Sequence, residues 1–104
     1  MNMAMEHTIS YQEIEKIVRP IAEAYGVERV FLFGSHARGN AKSTSDFDFR
    51  VDCGNIRGYY KLAGFSLDLE EAFGSKVDVV TTESLHAGFL KLISRDEVLV
   101  YEQP

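Results

Sequence analysis

Two aspartates on alternate residues are the first feature of this chain whose spacing could support chemistry. Asp46 and Asp48 lie in the alternating stretch SDFDFRV, residues 45 to 51, and Asp78 stands between two valines in a later stretch. Strand alternation places Asp46 and Asp48 on one face, and the three carboxylates would converge if the two strands are neighbours. Converging carboxylates repel one another unless a cation such as Mg²⁺ binds between them. The alternative is an acidic, solvent-exposed face of an edge strand.

A glycine-serine pair precedes the aspartates by ten residues. Gly34 and Ser35 fall where an apolar strand ends and a short helix could begin. The glycine can let a phosphate approach the backbone, while free amides and the serine hydroxyl bind it. An ordinary turn with a helix cap is the alternative. A Walker loop is excluded, because Gly34 and Gly39 have its first spacing but Asn40 stands where the lysine is required.

The elements that must position these residues follow from helix caps and hydrophobic periodicity. Ser10 and Glu13 form the pattern of a capping box, which opens a helix that Gly26 can end and that Pro20 should bend or split. Further helices are expected after Gly34 and over residues 62 to 73 and 85 to 93, and strands over 27 to 33, 45 to 51, 76 to 81 and 97 to 101.

This alternation of elements predicts the fold class. It favours an α/β domain with a single mixed β-sheet of about four strands flanked by helices, although the strand order cannot be read from the sequence. We expect the core to contain the following apolar residues: Phe31, Phe33, Phe47, Phe49, Val51, Leu62, Phe65, Leu69, Val77 and Val79.

Composition and charge restrict the function. The 104 residues, 45% of them hydrophobic and 26% charged, predict one domain over residues 1 to 104. Cys53 is the only cysteine, which excludes an internal disulfide, and without an apolar leader or a membrane-spanning run we expect a cytoplasmic protein. The net charge of -5 disfavours binding to an extended nucleic acid, so a nucleotide is better expected as a small ligand with a metal.

The chain resembles the minimal nucleotidyltransferases of the DNA polymerase beta superfamily. Their motif is Gly-Ser, about ten residues, Asp-x-Asp, and a third acidic residue on a later strand. The stretches FGSHARG and SDFDFRV carry the resemblance, which covers nearly the whole chain. The superfamily usually has aliphatic residues between and after the aspartates, so Phe47 and Phe49 depart from its pattern in a way that affects packing more than chemistry.

The resemblance implies a role for each motif residue and a polymerase beta-like core for the fold. Gly34 and Ser35 would hold the triphosphate of ATP, and Asp46 and Asp48 would bind Mg²⁺, with two ions expected. Asp78 would complete the metal site or take the proton from the attacking hydroxyl. In two-metal sites the ions stabilise the charge that develops on the attacking and leaving oxygens.

Two other residues near the glycine-serine pair, His36 and Arg38, are candidates for a role in the site. Arg38 either assists the phosphates as part of the nucleotide site or is a solvated surface arginine. His36 is predicted to be structural or exposed, because the sequence places no second histidine or cysteine at ligand spacing.

The length of the chain bears on the acceptor of the transferred group. The catalytic core takes up almost all of the 104 residues, so we expect the acceptor to bring its own binding surface. In the family this describes the antitoxin of HEPN/MNT toxin-antitoxin pairs. The resemblance therefore implies transfer of AMP from ATP to a hydroxyl, expected to be a tyrosine, of a cognate HEPN toxin. Two alternatives stay open: a catalytically silent antitoxin that neutralises by direct binding, and a transferase that acts on a small molecule with a partner subunit.

Overall fold

The computed structural model describes residues 9 to 104, in which helices and strands alternate as predicted. The elements are α1 (Tyr11–Tyr25), β1 (Arg29–Phe33), α2 (Ser35–Arg38), β2 (Phe47–Asp52), α3 (Gly58–Phe73), β3 (Val77–Thr81), a 3₁₀ turn (Thr82–Ser84), α4 (Ala87–Ile93) and β4 (Val98–Glu102). None of these four helices is long and apolar enough to cross a membrane.

The four strands form one mixed sheet in the order β3-β2-β1-β4. β1 is antiparallel to both β2 and β4, whereas β2 and β3 run parallel. The predicted fold class is therefore confirmed, and the structure adds the strand order. The two strands that precede and follow the glycine-serine turn, β1 and β2, are the central pair.

The apolar core lies between one face of the sheet and the helices α1 and α3. Phe47, Phe49 and Val51 of β2 are buried on this face, together with Val18 of α1 and Phe65 of α3. Because side chains alternate along a strand, the residues between them in β2 point to the opposite face. Asp48 and Arg50 therefore lie on the face that α1 and α3 leave open.

The predicted core is correct for β2 and wrong for β1. Val30 and Leu32 are fully buried, whereas Phe31 and Phe33 are only half-buried on the open face. In VERVFLF the last four residues are all apolar, so the two faces of the strand do not differ in polarity there. The larger aromatic side chains were expected in the core, but the aliphatic ones face the helices. Among the other predicted core residues, Val77 is buried, and Leu62 and Val79 are half-buried against the core.

Helix α1 begins at the capping box that the sequence predicts. The Glu13 amide donates to the Ser10 hydroxyl over 3.1 Å, and the Ser10 amide donates to the Glu13 carboxylate over 2.8 Å. Gly26 ends the helix with φ of 74°. The helix continues through Pro20 as one element, which excludes the split, whereas the bend stays a prediction. Because Pro20 has no backbone N–H, the carbonyl of Lys16 lacks its helical hydrogen bond. Lys16 is exposed, so water can donate to that carbonyl instead.

Candidate active site

Asp48 is the residue around which the candidate site is built. It is the second residue of β2, and its backbone lies opposite Phe33 of β1 on one side and Asp78 of β3 on the other. Parallel strands in register place equivalent side chains on the same face, so the carboxylates of Asp48 and Asp78 are neighbours. The convergence that the sequence left conditional on strand order thus occurs for this pair.

Electrostatics link all three aspartates. The pKa of Asp48 is raised, first by burial of its carboxyl group and then by the negative charges of Asp78 and Asp46. Asp48 is half-buried, whereas Asp46 and Asp78 are exposed. Asp46 lies one residue before β2 begins, so the prediction that it belongs to the strand is wrong, but its charge still acts on Asp48. The cluster is a place where negative charge is accumulated rather than balanced.

Gly34 makes the closest approach to this cluster. Its φ of 77° and ψ of -156° lie in a region that side chains disfavour, and a Cβ at this position would collide with the Asp48 carboxylate. The Gly34 carbonyl accepts hydrogen bonds from the amides of Ala37 and Arg38 over 3.1 and 3.0 Å, which closes the turn of α2. The glycine is therefore needed both for the turn and for room beside the carboxylate.

Ser35 is the first residue of α2, directly after this glycine. The first amides of a helix have no partner within it. Within residues 9 to 104 the Ser35 hydroxyl donates no hydrogen bond to the protein, and Gly34, not Ser35, occupies the cap position without a side-chain hydrogen bond. Ser35 is therefore not the cap residue, and its hydroxyl is available to a ligand, while the alternative of an ordinary turn with a helix cap stays open.

His36 and Arg38 lie on opposite sides of the short helix. The His36 ring stacks on Phe47 with centroids 3.9 Å apart and planes 7° apart, and its Nε2 lies 3.3 Å from the Ser45 carbonyl oxygen. This is the structural role that we expect for His36. Arg38 is exposed and lines, with Gly34, a cavity that α4 closes on its far side. Its positive charge lowers the pKa of Asp48, against the larger effects that raise it.

A buried ion pair that the sequence did not reveal lies two residues beyond Asp48. Arg50 is 8% exposed, and its Nε and Nη2 donate to the two carboxylate oxygens of Glu97 over 2.5 and 2.8 Å. Its Nη1 donates to the Thr82 hydroxyl over 2.7 Å, and the guanidinium lies 4.1 Å from the centre of the Phe31 ring. The hydrogen bonds to Glu97 raise the pKa of Arg50. This pair joins the segment before β4 to the strand that carries Asp48.

The donor set at the carboxylates suits a hard cation that keeps part of its hydration shell. Within the part of the chain that the structure describes, no three histidine, cysteine, aspartate or glutamate side chains are arranged to hold a metal ion by themselves. Mg²⁺ does not require such a cage, because it commonly binds one or two carboxylates and completes its shell with water and substrate phosphate. The neighbouring carboxylates of Asp48 and Asp78, beside the unobstructed Gly34, fit this mode of binding.

Comparison with protein families and with curated relatives gives a consistent answer. Residues 15–104 match the family described as polymerase beta nucleotidyltransferase. The protein adenylyltransferase MntA of Thermococcus cleftensis is 35% identical over 96 residues, which cover 88% of this chain and 97% of that protein. Both matches include the glycine-serine pair and the three aspartates by extent.

Solved structures share the fold at lower identity. A crystal structure of a toxin-antitoxin with AMP-PNP matches with a TM-score of 0.74 and 19% identity, over 86% of this chain and 73% of that chain. A chain from the structure of a tri-AMPylated Shewanella oneidensis HEPN toxin in complex with an MNT antitoxin matches with a TM-score of 0.69 and 17% identity, over 90% of this chain and 74% of that chain. At these identities the structures show that the fold is shared.

Proposed function

Because this chain belongs to the polymerase beta nucleotidyltransferase family, we propose that it transfers AMP from ATP to a hydroxyl group of a cognate protein. The observation that carries the proposal is that the Asp48 carboxylate occupies the space beside Gly34 where any other residue would place its Cβ. This arrangement joins the turn suited to phosphate to the carboxylates suited to a cation.

The donor nucleotide is bound by the turn between β1 and α2. Gly34 leaves space for a phosphate beside the backbone, and the Ser35 hydroxyl donates a hydrogen bond to a phosphate oxygen. Arg38, exposed on the wall of the adjoining cavity, supplies a positive charge to the triphosphate. These three residues account for the nucleotide-binding part of the proposal.

Asp46, Asp48 and Asp78 would hold Mg²⁺, with two ions implied by the family. Bound Mg²⁺ would polarise the α-phosphate and neutralise charge on the departing pyrophosphate. The acceptor oxygen forms a bond to the α-phosphorus, and the bond from that phosphorus to the bridging oxygen of pyrophosphate breaks. Asp78, which is exposed at the sheet edge, completes the metal site or accepts the proton of the attacking hydroxyl.

We further propose that the acceptor is a tyrosine of a HEPN-type toxin and that this chain is its antitoxin. Support comes from the MntA relative, named a protein adenylyltransferase, and from the shared fold of an MNT antitoxin in complex with an AMPylated HEPN toxin. The net charge of -5 also suits this partner, because a toxin that acts on RNA needs a basic surface. Complementary charge would speed encounter, and salt would weaken it.

The test uses the full chain with its cognate toxin, ATP and Mg²⁺. We expect intact-mass spectrometry to show one or more AMP units added to the toxin on tyrosine, and no addition when Asp46 and Asp48 are both replaced by Asn. EDTA should abolish the addition as well, since without a cation the carboxylates and the triphosphate repel each other.

Two outcomes would replace the proposal. A toxin that keeps its mass but is still inhibited would indicate neutralisation by direct binding. A toxin that is neither modified nor bound, with ATP still consumed, would indicate a small-molecule acceptor.

A further inference from the structure

The cavity between α2 and α4 has a volume of about 410 Å³, within the range of sites that bind small molecules. Gly34 and Arg38 line one side of it, and Phe89 and Leu92 of α4 line the other. The Asp48 carboxylate lies so near Gly34 that a Cβ there would collide with it, so the cavity opens beside the carboxylate cluster. Phe89 and Leu92 are large apolar residues that are 44% and 57% exposed, so α4 presents an apolar wall to this space.

Two arginines line the same cavity. Arg38 comes from α2, and Arg95 comes from the turn that follows α4. Within residues 9 to 104, neither guanidinium forms a hydrogen bond or ion pair with a carboxylate, although acidic residues outnumber basic ones in the chain by 16 to 11. Two guanidiniums without such partners, at one cavity beside an acidic cluster, are suited to an anionic ligand with several phosphates.

We propose that Arg95 is a second guanidinium ligand of the donor's phosphates, and that Phe89 and Leu92 pack against its nucleoside. This inference rests on the proposed function and adds residues to the donor site. Asp96 lines the cavity as well, and its carboxylate accepts hydrogen bonds from ribose hydroxyls or a base amino group rather than from phosphate. The cavity thus offers cations for the phosphates and a carboxylate for the nucleoside.

The ion pair between Arg50 and Glu97 joins the segment that contains Arg95 to β2, which carries Asp48. Glu97 follows Arg95 by two residues, and its side chain is only 7% exposed where Arg50 binds both of its oxygens. Arg50 in turn follows Asp48 by two residues on the same face of β2. A buried, bidentate pair fixes geometry more firmly than a surface pair does. This ion pair therefore anchors the segment that carries Arg95 to the strand that carries Asp48.

The experiment measures binding of two probes to the full chain by calorimetry, each with Mg²⁺: ATP and inorganic tripolyphosphate. Arg95→Ala should weaken binding of both probes by about tenfold to a hundredfold, because a charge-assisted hydrogen bond is lost. Arg95→Lys should restore part of the affinity for both. Lys91→Ala is the matched control, since it removes one positive charge from α4 at an exposed residue outside the cavity, and it should change binding by less than about twofold.

The apolar wall is tested with Leu92→Ser. This variant should weaken binding of ATP by about fivefold and leave binding of tripolyphosphate unchanged, because only ATP has a nucleoside to pack against α4. Equal binding of ATP by the Arg95→Ala and Lys91→Ala variants would overturn the role of Arg95 while leaving the proposed function intact. A native chain that binds neither probe would instead overturn the proposed function, and this inference with it.

Discussion

Two of the charged residues on the open face of β2, Asp48 and Arg50, are two positions apart and have opposite surroundings. Arg50 is buried and its charge is balanced by Glu97 over two hydrogen bonds. Asp48 is half-buried among like charges, which raise its pKa together with burial. The same strand therefore holds one charge that the protein satisfies and one that it leaves for a ligand to satisfy. If Asp48 binds the proposed cation, charge balance distinguishes the structural group from the binding group more clearly than exposure does, because the more deeply buried Arg50 is the balanced one.

The largest effect on transfer is expected at the aspartates, whose negative charges have no compensating ion-pair partner among residues 9 to 104. Replacing Asp46 and Asp48 together by Asn should abolish AMP transfer, by at least about a thousandfold, because the cation loses its carboxylates. The midpoint of thermal unfolding should stay the same or rise, since a cluster of like charges is removed. Calorimetry and a transfer assay on the same preparation measure both. A marked loss of thermal stability would show that the aspartates are structural, which would remove the contrast with Arg50.

The balanced side should respond in the opposite manner. Arg50→Met leaves the Glu97 carboxylate buried without its partner, and we expect a loss of about 3 to 5 kcal/mol in the free energy of unfolding. Adding Glu97→Leu should recover most of this loss, because the uncompensated charge is gone. Denaturant unfolding of the single and double variants is the measurement. A loss below about 1 kcal/mol in the single variant is incompatible with a buried, satisfied pair.

Gly34 should matter through its contact with Asp48 rather than through its backbone angle alone. Gly39 is the matched control, because its φ of 81° is similar but a Cβ there would meet no atom within 4 Å. Replacing Gly39 by Ala should cost about 1 to 2 kcal/mol of stability through its left-handed backbone. Replacing Gly34 by Ala should cost more, because its φ and ψ are essentially restricted to glycine and the added Cβ would meet the Asp48 carboxylate. Only Gly34→Ala should also reduce transfer, by about a hundredfold, as the Asp48 carboxylate is displaced. Equal transfer by the two variants would contradict a site built around this contact.

The smallest effect is expected at Ser35. Ser35→Ala removes one hydrogen bond to phosphate, so we expect a loss of about 1 to 3 kcal/mol in ATP binding or in transition-state stabilisation. Stability should be unchanged, since the hydroxyl has no protein partner among residues 9 to 104. Ser43→Ala, at an exposed position between α2 and β2, serves as the control. If both serine variants turn over equally with native kinetics, the phosphate is bound by the backbone alone.

The sequence predicted the position of Asp48 better than it predicted the surroundings of Arg50. Asp48 could be placed because apolar and charged residues alternate strictly along β2, which determines the buried face without knowledge of the rest of the fold. β1 itself offers no such alternation, so Phe31 was expected in the core and instead lies beside the guanidinium of Arg50. Local pattern reveals a face only where the two faces differ in polarity.

Long-range pairing explains what else was missed. Glu97 is 47 positions from Arg50, and its partner depends on how the segment after α4 returns to the sheet. Asp78 was predicted as the third carboxylate, but its position next to Asp48 required the order β3-β2, which the sequence does not contain. Charged residues can be identified one at a time from sequence, whereas the balance of their charges is a property of the folded chain.

The strand order also has a consequence for dynamics. β2 is hydrogen-bonded to a strand on each side, whereas β3 pairs only with β2 in the region that the structure describes. The amides around Asp48 should therefore exchange with solvent only through global unfolding, and those around Asp78 through local opening of the edge. A cation and nucleotide that bridge the two aspartates would couple the mobile edge to the rigid centre. Slower amide exchange in β3 would then report occupancy of the site before any group is transferred.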